Sequence, residues 1–135
     1  MDGFELVDFS LHAEELGRLE VDLPGGADRM PLPLPEGAVV TVGITFRLGR
    51  DIDGLAFEET RTMDGTVLST ARTVLGGFRT GGPYEVRLPP ERLPVGRAHC
   101  GVYEVTCRFT DGDGRELAAL HHRMRLVHQT ATSGT

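Results

Sequence analysis

The sequence contains no Trp, no Lys and no Asn, and only two Cys, six Phe and two Tyr among its 135 residues. With aromatics this scarce, a core has to be built mostly from Leu, Val and Ile. At 39% hydrophobic residues there are enough of them to do so without staples, and the length is one domain's worth. Positive charge is also scarce: all fourteen basic residues are Arg, against twenty Asp and Glu, for a net charge of −6 with histidines neutral. Such a chain repels phosphate backbones and anionic membrane surfaces, so nucleic acid is not an expected partner, whereas a basic peptide or protein patch is attracted. The exclusive use of Arg has no structural reason; it fits the codon bias of a GC-rich genome. No long apolar run and no charged-then-apolar N-terminal signal occurs, which argues against stable membrane insertion and export. On one extended segment Cys100 and Cys107 lie some ~23 Å apart on opposite faces, too far for a disulfide. Two unpaired thiols fit a reducing compartment, and the expected location is cytoplasmic.

What the sequence does have is alternation. Tyr103, Val105, Cys107 and Phe109 alternate with Glu104, Thr106 and Arg108 over Gly101 to Thr110. A period of two puts the apolar set on one face of a strand and the polar set on the other, and such a strand needs a second layer to cover it. Asp111-Gly112-Asp113-Gly114 then turns the chain. Val40, Val42, Ile44, Phe46 and Leu48 alternate in the same way over Val39 to Leu48. Leu55 to Met63 and Thr66 to Leu75 flank Asp64-Gly65, a strong hairpin signal. Leu19 to Leu23 and Tyr84 to Leu88 read as further strands, and Phe4 to Leu11 as an apolar-rich segment. In Glu116 to Val127, Leu117-Ala118-Ala119-Leu120 is compatible with a helix, but Leu120, His122, Met124 and Leu126 alternate with His121, Arg123 and Arg125, which favours a strand. Gly76 to Pro83 reads as a loop and Pro24-Gly25-Gly26 as a stop. Pro31 to Pro35 cannot be a central strand, because three prolines remove ladder donors; it reads as an edge or covering segment. The fold class is all-β: an immunoglobulin-like antiparallel β-sandwich of seven to nine strands over residues 1–128, with a flexible tail at 129–135.

Chemistry-bearing constellations are weak. Glu58 and Glu59 face opposite sides of their strand, and Asp111 and Asp113 are turn formers. There is no Gly-x-Ser-x-Gly, no reactive Cys–His spacing, and no helix behind the Gly76–Gly82 stretch to cradle a phosphate. His99-Cys100 and His121-His122 are adjacent on strands and so point apart, and with His128 they make no ligand-spaced motif. An enzyme, a cofactor and a metal are therefore not expected.

Several pieces resemble, in order, the middle of the Rho GDP-dissociation inhibitors. They are Pro35-Glu36-Gly37 leading into Gly43-Ile44-Thr45-Phe46-Arg47, then Arg50-Asp51-Ile52 with Gly54-Leu55, and Val74-Leu75-Gly76-Gly77-Phe78. Pro83-Tyr84-Glu85-Val86, Pro94-Val95-Gly96 with Gly101-Val102-Tyr103, and Arg108-Phe109-Thr110-Asp111-Gly112-Asp113 complete the series, which runs from about Leu19 to Leu126. The resemblance implies an immunoglobulin-like sandwich whose sheets part at one end to accept an isoprenyl tail. It implies a non-catalytic carrier that takes a prenyl or other apolar chain, on a small GTPase or another basic-tailed protein, with Asp51, Asp53, Asp111 and Asp113 as an acidic face toward the basic segment. The chain begins at about the first sandwich strand, so the family's N-terminal regulatory arm is expected to be lacking. By matching positions, the implied ligand-binding residues are Leu32, Ile52, Val105, Leu120, His122 and Met124. Leu120 and His122 fall where the family carries two Trp in its last strand. The alternative is a protein-interaction sandwich in which these six are ordinary core and the pocket is filled.

Overall fold

The computed structural model of the protein describes residues 3–14, 16–20 and 31–128. In chain order the strands are β1 (Phe4–Ala13), β2 (Gly17–Glu20), β3 (Leu32–Pro35), β4 (Val39–Leu48), β5 (Ile52–Met63), β6 (Thr66–Phe78), β7 (Gly81–Arg87), β8 (Glu91–Arg92), β9 (Gly101–Thr110) and β10 (Glu116–Val127). One sheet runs β2-β1-β4-β7, with β8 against the start of β4; the other runs β3-β10-β9-β5-β6. The two sheets pack as a β-sandwich. All pairings are antiparallel except β3 with β10, which is parallel and places the proline-rich segment at a sheet edge, where missing N–H donors cost least.

The alternation in β9 translates directly into burial. Tyr103, Val105, Cys107 and Phe109 are buried, while Val102 and Glu104 are exposed. In β4, Val40, Ile44, Phe46 and Leu48 are likewise buried. In β10, Leu120, His122, Met124 and Leu126 point in and His121 and Arg125 point out. Asp64 and Gly65 both take positive φ, 51° and 80°, as a two-residue hairpin turn between β5 and β6 requires. Leu, Val and Ile supply twelve of the twenty-two buried hydrophobic positions among the described residues, and Phe4, Phe9, Phe46, Phe57 and Phe109 are buried too. The scarce aromatics are concentrated at the centre, where each removes the largest apolar area from water.

Three expectations change. Gly76 to Pro83 is not a loop: β6 continues through Phe78 and β7 starts at Gly81, leaving Arg79 and Thr80 as the turn. Gly76, Gly81 and Gly82 have φ of 119°, 128° and 114°, and the ladders slip register at Leu55 opposite Gly76 and between Phe46 and Leu48 opposite Tyr84 and Gly81, so these glycines form bulges inside the strands. Asp51 holds the turn, its Oδ1 accepting from the Thr80 N–H at 2.7 Å and the Thr80 hydroxyl at 3.1 Å. β5 begins at Ile52, earlier than its alternation suggests. The described strands number ten, because Glu91–Arg92 adds a two-residue pairing and Phe4–Ala13 is a full strand between β2 and β4. Pro24-Gly25-Gly26, the end of the Leu19 to Leu23 strand and the tail at 129–135 lie outside the described residues.

A close approach fixes the bend before Leu55. Gly54 has φ +66°, and a Cβ there would come within 2.7 Å of the Gly112 Cα, while the Gly112 N–H donates to the Asp53 carbonyl at 2.9 Å. The Asp111 carboxylate sits beside this contact and accepts from the N–H groups of Asp113 and Arg115 at 2.9 and 3.0 Å. The Arg115 backbone bond, ahead of that of Asp113, holds the Asp111 carboxyl below its usual range. Asp111 is thus a turn former.

Candidate functional site

The inward face of β5 changes character along its length. Phe57, Glu59 and Arg61 share one side at period two, in register with Phe109, Cys107 and Val105 of β9. Phe57 is core. Glu59 and Arg61 carry charge between the sheets, with side chains 18% and 14% exposed. The Arg61 guanidinium reaches across to β8 in the opposite sheet and grips Glu91 with both nitrogens, at 2.8 and 2.6 Å, and donates to Glu59 at 3.1 Å. Burial pushes the Glu59 carboxyl up, against the pull of Arg61. Glu58, on the outer face, bonds Arg108 at 2.8 and 3.0 Å, so the two neighbouring glutamates do face opposite sides.

Beside this charged strap lies a cavity of about 220 Å³. Leu11, Val40, Val42, Leu88 and Leu93 line it from one side, and Leu34, Phe57, His122 and Met124 from the other. Ala71 and Thr73 of β6 stand at its margin, with Glu59, Arg61 and Glu91. The wall is mostly apolar, with the Glu59–Arg61–Glu91 ion pairs on one flank and His122 set among its apolar side chains. His122 is 7% exposed, and neither ring nitrogen has a hydrogen-bond partner among the described residues. Burial, reinforced by the charges of His121 and Arg61, pulls its ring down to about 4, so it is neutral at physiological pH.

Beyond the cavity the space between the sheets is filled. Phe9 contacts His122 at 5.9 Å between ring centroids and Phe57 at 6.0 Å; Phe57 meets Phe109 at 5.2 Å. Phe109 meets Phe4 at 5.1 Å, Phe4 meets Phe46 at 5.4 Å, and Phe46 meets Phe78 at 5.1 Å. A continuous aromatic run, drawing on both sheets, occupies this half of the interior.

The six residues implied by the resemblance are divided by this arrangement. His122 and Met124 line the cavity. Leu32 is the ladder partner of Met124 and half-buried, while its near neighbour Leu34 is the one on the wall. Val105 lies beside His122 and Leu120 beside Cys107, both buried next to the cavity but not lining it. Ile52 is at the filled end, paired with Phe78. Sequence reasoning missed Glu59, Arg61, Glu91 and Leu93. The signal for the first two was present, since they continue the inward phase of Phe57. Of the acidic residues, Asp51 and Asp111 are engaged in holding turns.

A solved structure described as the crystal structure of the C-terminal domain of Wzt superposes with a TM-score of 0.68 at 12% identity, covering 99% of this chain and 79% of that one. That likeness is one of fold. No curated protein matches the sequence. No helix among the described residues is long and apolar enough to cross a membrane. The sequence profile of the family described as RHO protein GDP dissociation inhibitor matches residues 5–128, nearly the whole sequence. The chain belongs to the Rho GDP-dissociation inhibitor family.

Proposed function

We propose that this protein is a non-catalytic carrier, working in the cytoplasm, which takes the end of an isoprenyl or similar apolar chain into the cavity between its sheets. The chain would be carried by a lipidated small GTPase or another partner with a basic tail. The observation that supports this best is the apolar cavity beside Met124 and His122 in a member of this family. Removing apolar surface from water is worth ~25 cal/mol per Å², so transferring a prenyl chain from a bilayer into such a site keeps its bearer soluble at little cost. At about 220 Å³ the cavity is smaller than the ~300–1,000 Å³ of sites that enclose drug-sized ligands. It accepts the terminal part of a chain as it stands, and a full-length prenyl group requires the β6 margin to move outward.

Titration calorimetry with farnesyl- and geranylgeranyl-cysteine methyl esters tests this. Saturable binding with a negative heat-capacity change is expected. It should be lost in Ala71→Trp, where an exposed residue on the cavity margin is enlarged without touching the core. Ile52→Asp is a poor probe, because it would wreck the filled end of the sandwich. No binding by the wild type at high micromolar ligand would leave the sandwich as a protein-interaction module. That reading is favoured by one feature: β6 is a sheet edge with Val67, Leu68 and Val74 more than half exposed.

A further inference from the structure

At the end of the sandwich where β3 hands over to β4, three side chains distant in sequence converge. Glu36 lies in the turn between those strands, Cys100 follows the 3₁₀ turn Arg97–His99, and His128 follows the last residue of β10. One donor atom from each, a carboxylate oxygen, the thiol sulfur and a ring nitrogen, lie within 4.8 Å of one another. His128 Nδ1 is 2.8 Å from Glu36 Oε2, and Cys100 Sγ is 4.0 Å from Glu36 Oε1. We propose that Glu36, Cys100 and His128 form a binding site for a zinc ion, with water as the fourth ligand.

Geometry and charge both support it. Zinc bonds of ~2.0–2.3 Å at tetrahedral angles put neighbouring donor atoms about 3.3–3.7 Å apart. The His128–Glu36 separation is shorter than that and the Cys100–Glu36 separation slightly longer, and all three donors lie within 4.8 Å of one another, so the three side chains close on an ion by rotating within this one cluster. The Glu36 side chain is only 6% exposed, so a cation held against it is attracted more strongly than by a carboxylate in open water. Its Oε1 accepts from the Gly96 N–H at 2.6 Å, which orients the carboxylate from behind as outer partners orient metal ligands. Before metal binds, the Cys100 S–H donates to the Gly96 carbonyl at 3.4 Å, which holds the thiol beside Glu36; that bond is given up when the proton leaves. His128 is one-third exposed, which leaves the ion an entry path and a place for water. A soft thiolate with an imidazole and one carboxylate selects zinc over magnesium or calcium, which prefer all-oxygen sites. On binding, the Cys100 thiol gives its proton to solvent and the sulfur donates to the metal. Nothing in this site touches the cavity of the proposed carrier function, so either can fail alone.

The test is cobalt(II) titration of the full chain, freed of metal with a chelator and kept reduced. Wild type should bind one equivalent, with a thiolate-to-cobalt charge-transfer band in the near ultraviolet and the intense visible bands of four-coordinate cobalt. Zinc should displace the cobalt and raise the unfolding temperature. Cys100→Ser should abolish the charge-transfer band, His128→Ala should weaken affinity at least tenfold, and Cys107→Ala should leave the spectrum unchanged. Because Glu36 also receives the Gly96 N–H, Glu36→Gln could unfold this end, so Cys100→Ser and His128→Ala carry the decision. The proposal is overturned if saturating cobalt gives wild type no charge-transfer band, or if the band survives Cys100→Ser.

Discussion

Protonation of His122 should be the main acid sensitivity of this protein between pH 7 and 5. Its ring is held at about 4 in the folded state, against an ordinary value of 6.5. The unfolded chain therefore binds the extra proton first as pH falls. The folded state keeps its full advantage above 6.5 and loses it progressively down to about 4. A 2.5-unit gap is worth at most about 3 kcal/mol at 1.36 kcal/mol per unit, of which about 2 kcal/mol is lost between pH 7 and pH 5. Other groups facing the cavity act differently. Glu59, pushed up by burial, binds its proton more readily when folded and offsets part of the loss. Arg61 stays charged throughout, and Glu91 is bound to it. The carboxyls of Asp51 and Asp111 are held low, so their contribution disappears only below the ordinary carboxylate range. Urea denaturation of wild type and His122→Leu at pH 7 and 5 isolates the histidine. The variant should lose about 2 kcal/mol less over that interval, and should be no less stable at pH 7, since leucine replaces a ring with both nitrogens unpartnered. Equal losses in the two proteins would refute the reasoning.

Two other substitutions probe the frame of the site. Gly54→Ala meets both a positive φ and the Gly112 backbone at 2.7 Å, and should lower stability by about 2–3 kcal/mol in denaturant unfolding, well beyond an ordinary surface glycine change. Arg61→Met strips the partner from Glu59, and because both side chains keep some exposure the cost should fall below the ~3–5 kcal/mol of a fully buried pair, near about 2 kcal/mol. The double variant Glu59→Leu with Arg61→Met should recover most of that loss; a double variant less stable than Arg61→Met alone would contradict this account.

The fold was legible where each residue's choice depends only on its neighbours. Val40 to Leu48, Tyr103 to Phe109 and Leu120 to Leu126 alternate because one side of each strand is dry, and Asp64-Gly65 turns because both residues accept positive φ. Gly76, Gly81 and Gly82 were misread because glycine serves loops and bulges alike, and only the ladders opposite Leu55 and between Phe46 and Leu48 distinguish them. The cavity was half legible. The family resemblance pointed to His122 and Met124, but Leu93 and Glu91 come to the wall through a two-residue pairing with β4 that leaves no periodic trace. Ile52 shows the converse limit, since an apolar residue at a matching position can still end up at the filled end. Glu36, Cys100 and His128 were beyond reach, because no spacing rule connects three residues joined only by the way two sheets close.

The aromatic run from Phe78 to Phe9 gives the sandwich a fixed end and a free end. Six phenylalanines in series act like the pivot of a clothes peg: the sheets cannot separate there without exposing several rings at once, whereas past His122 they are tied together by the Arg61–Glu91 strap. Any breathing of the molecule therefore has a direction. Amide protons on β5 near Phe57 should exchange orders of magnitude more slowly than those near Thr62, and a guest that wedges the jaws open would widen that gradient before it changed anything at the pivot.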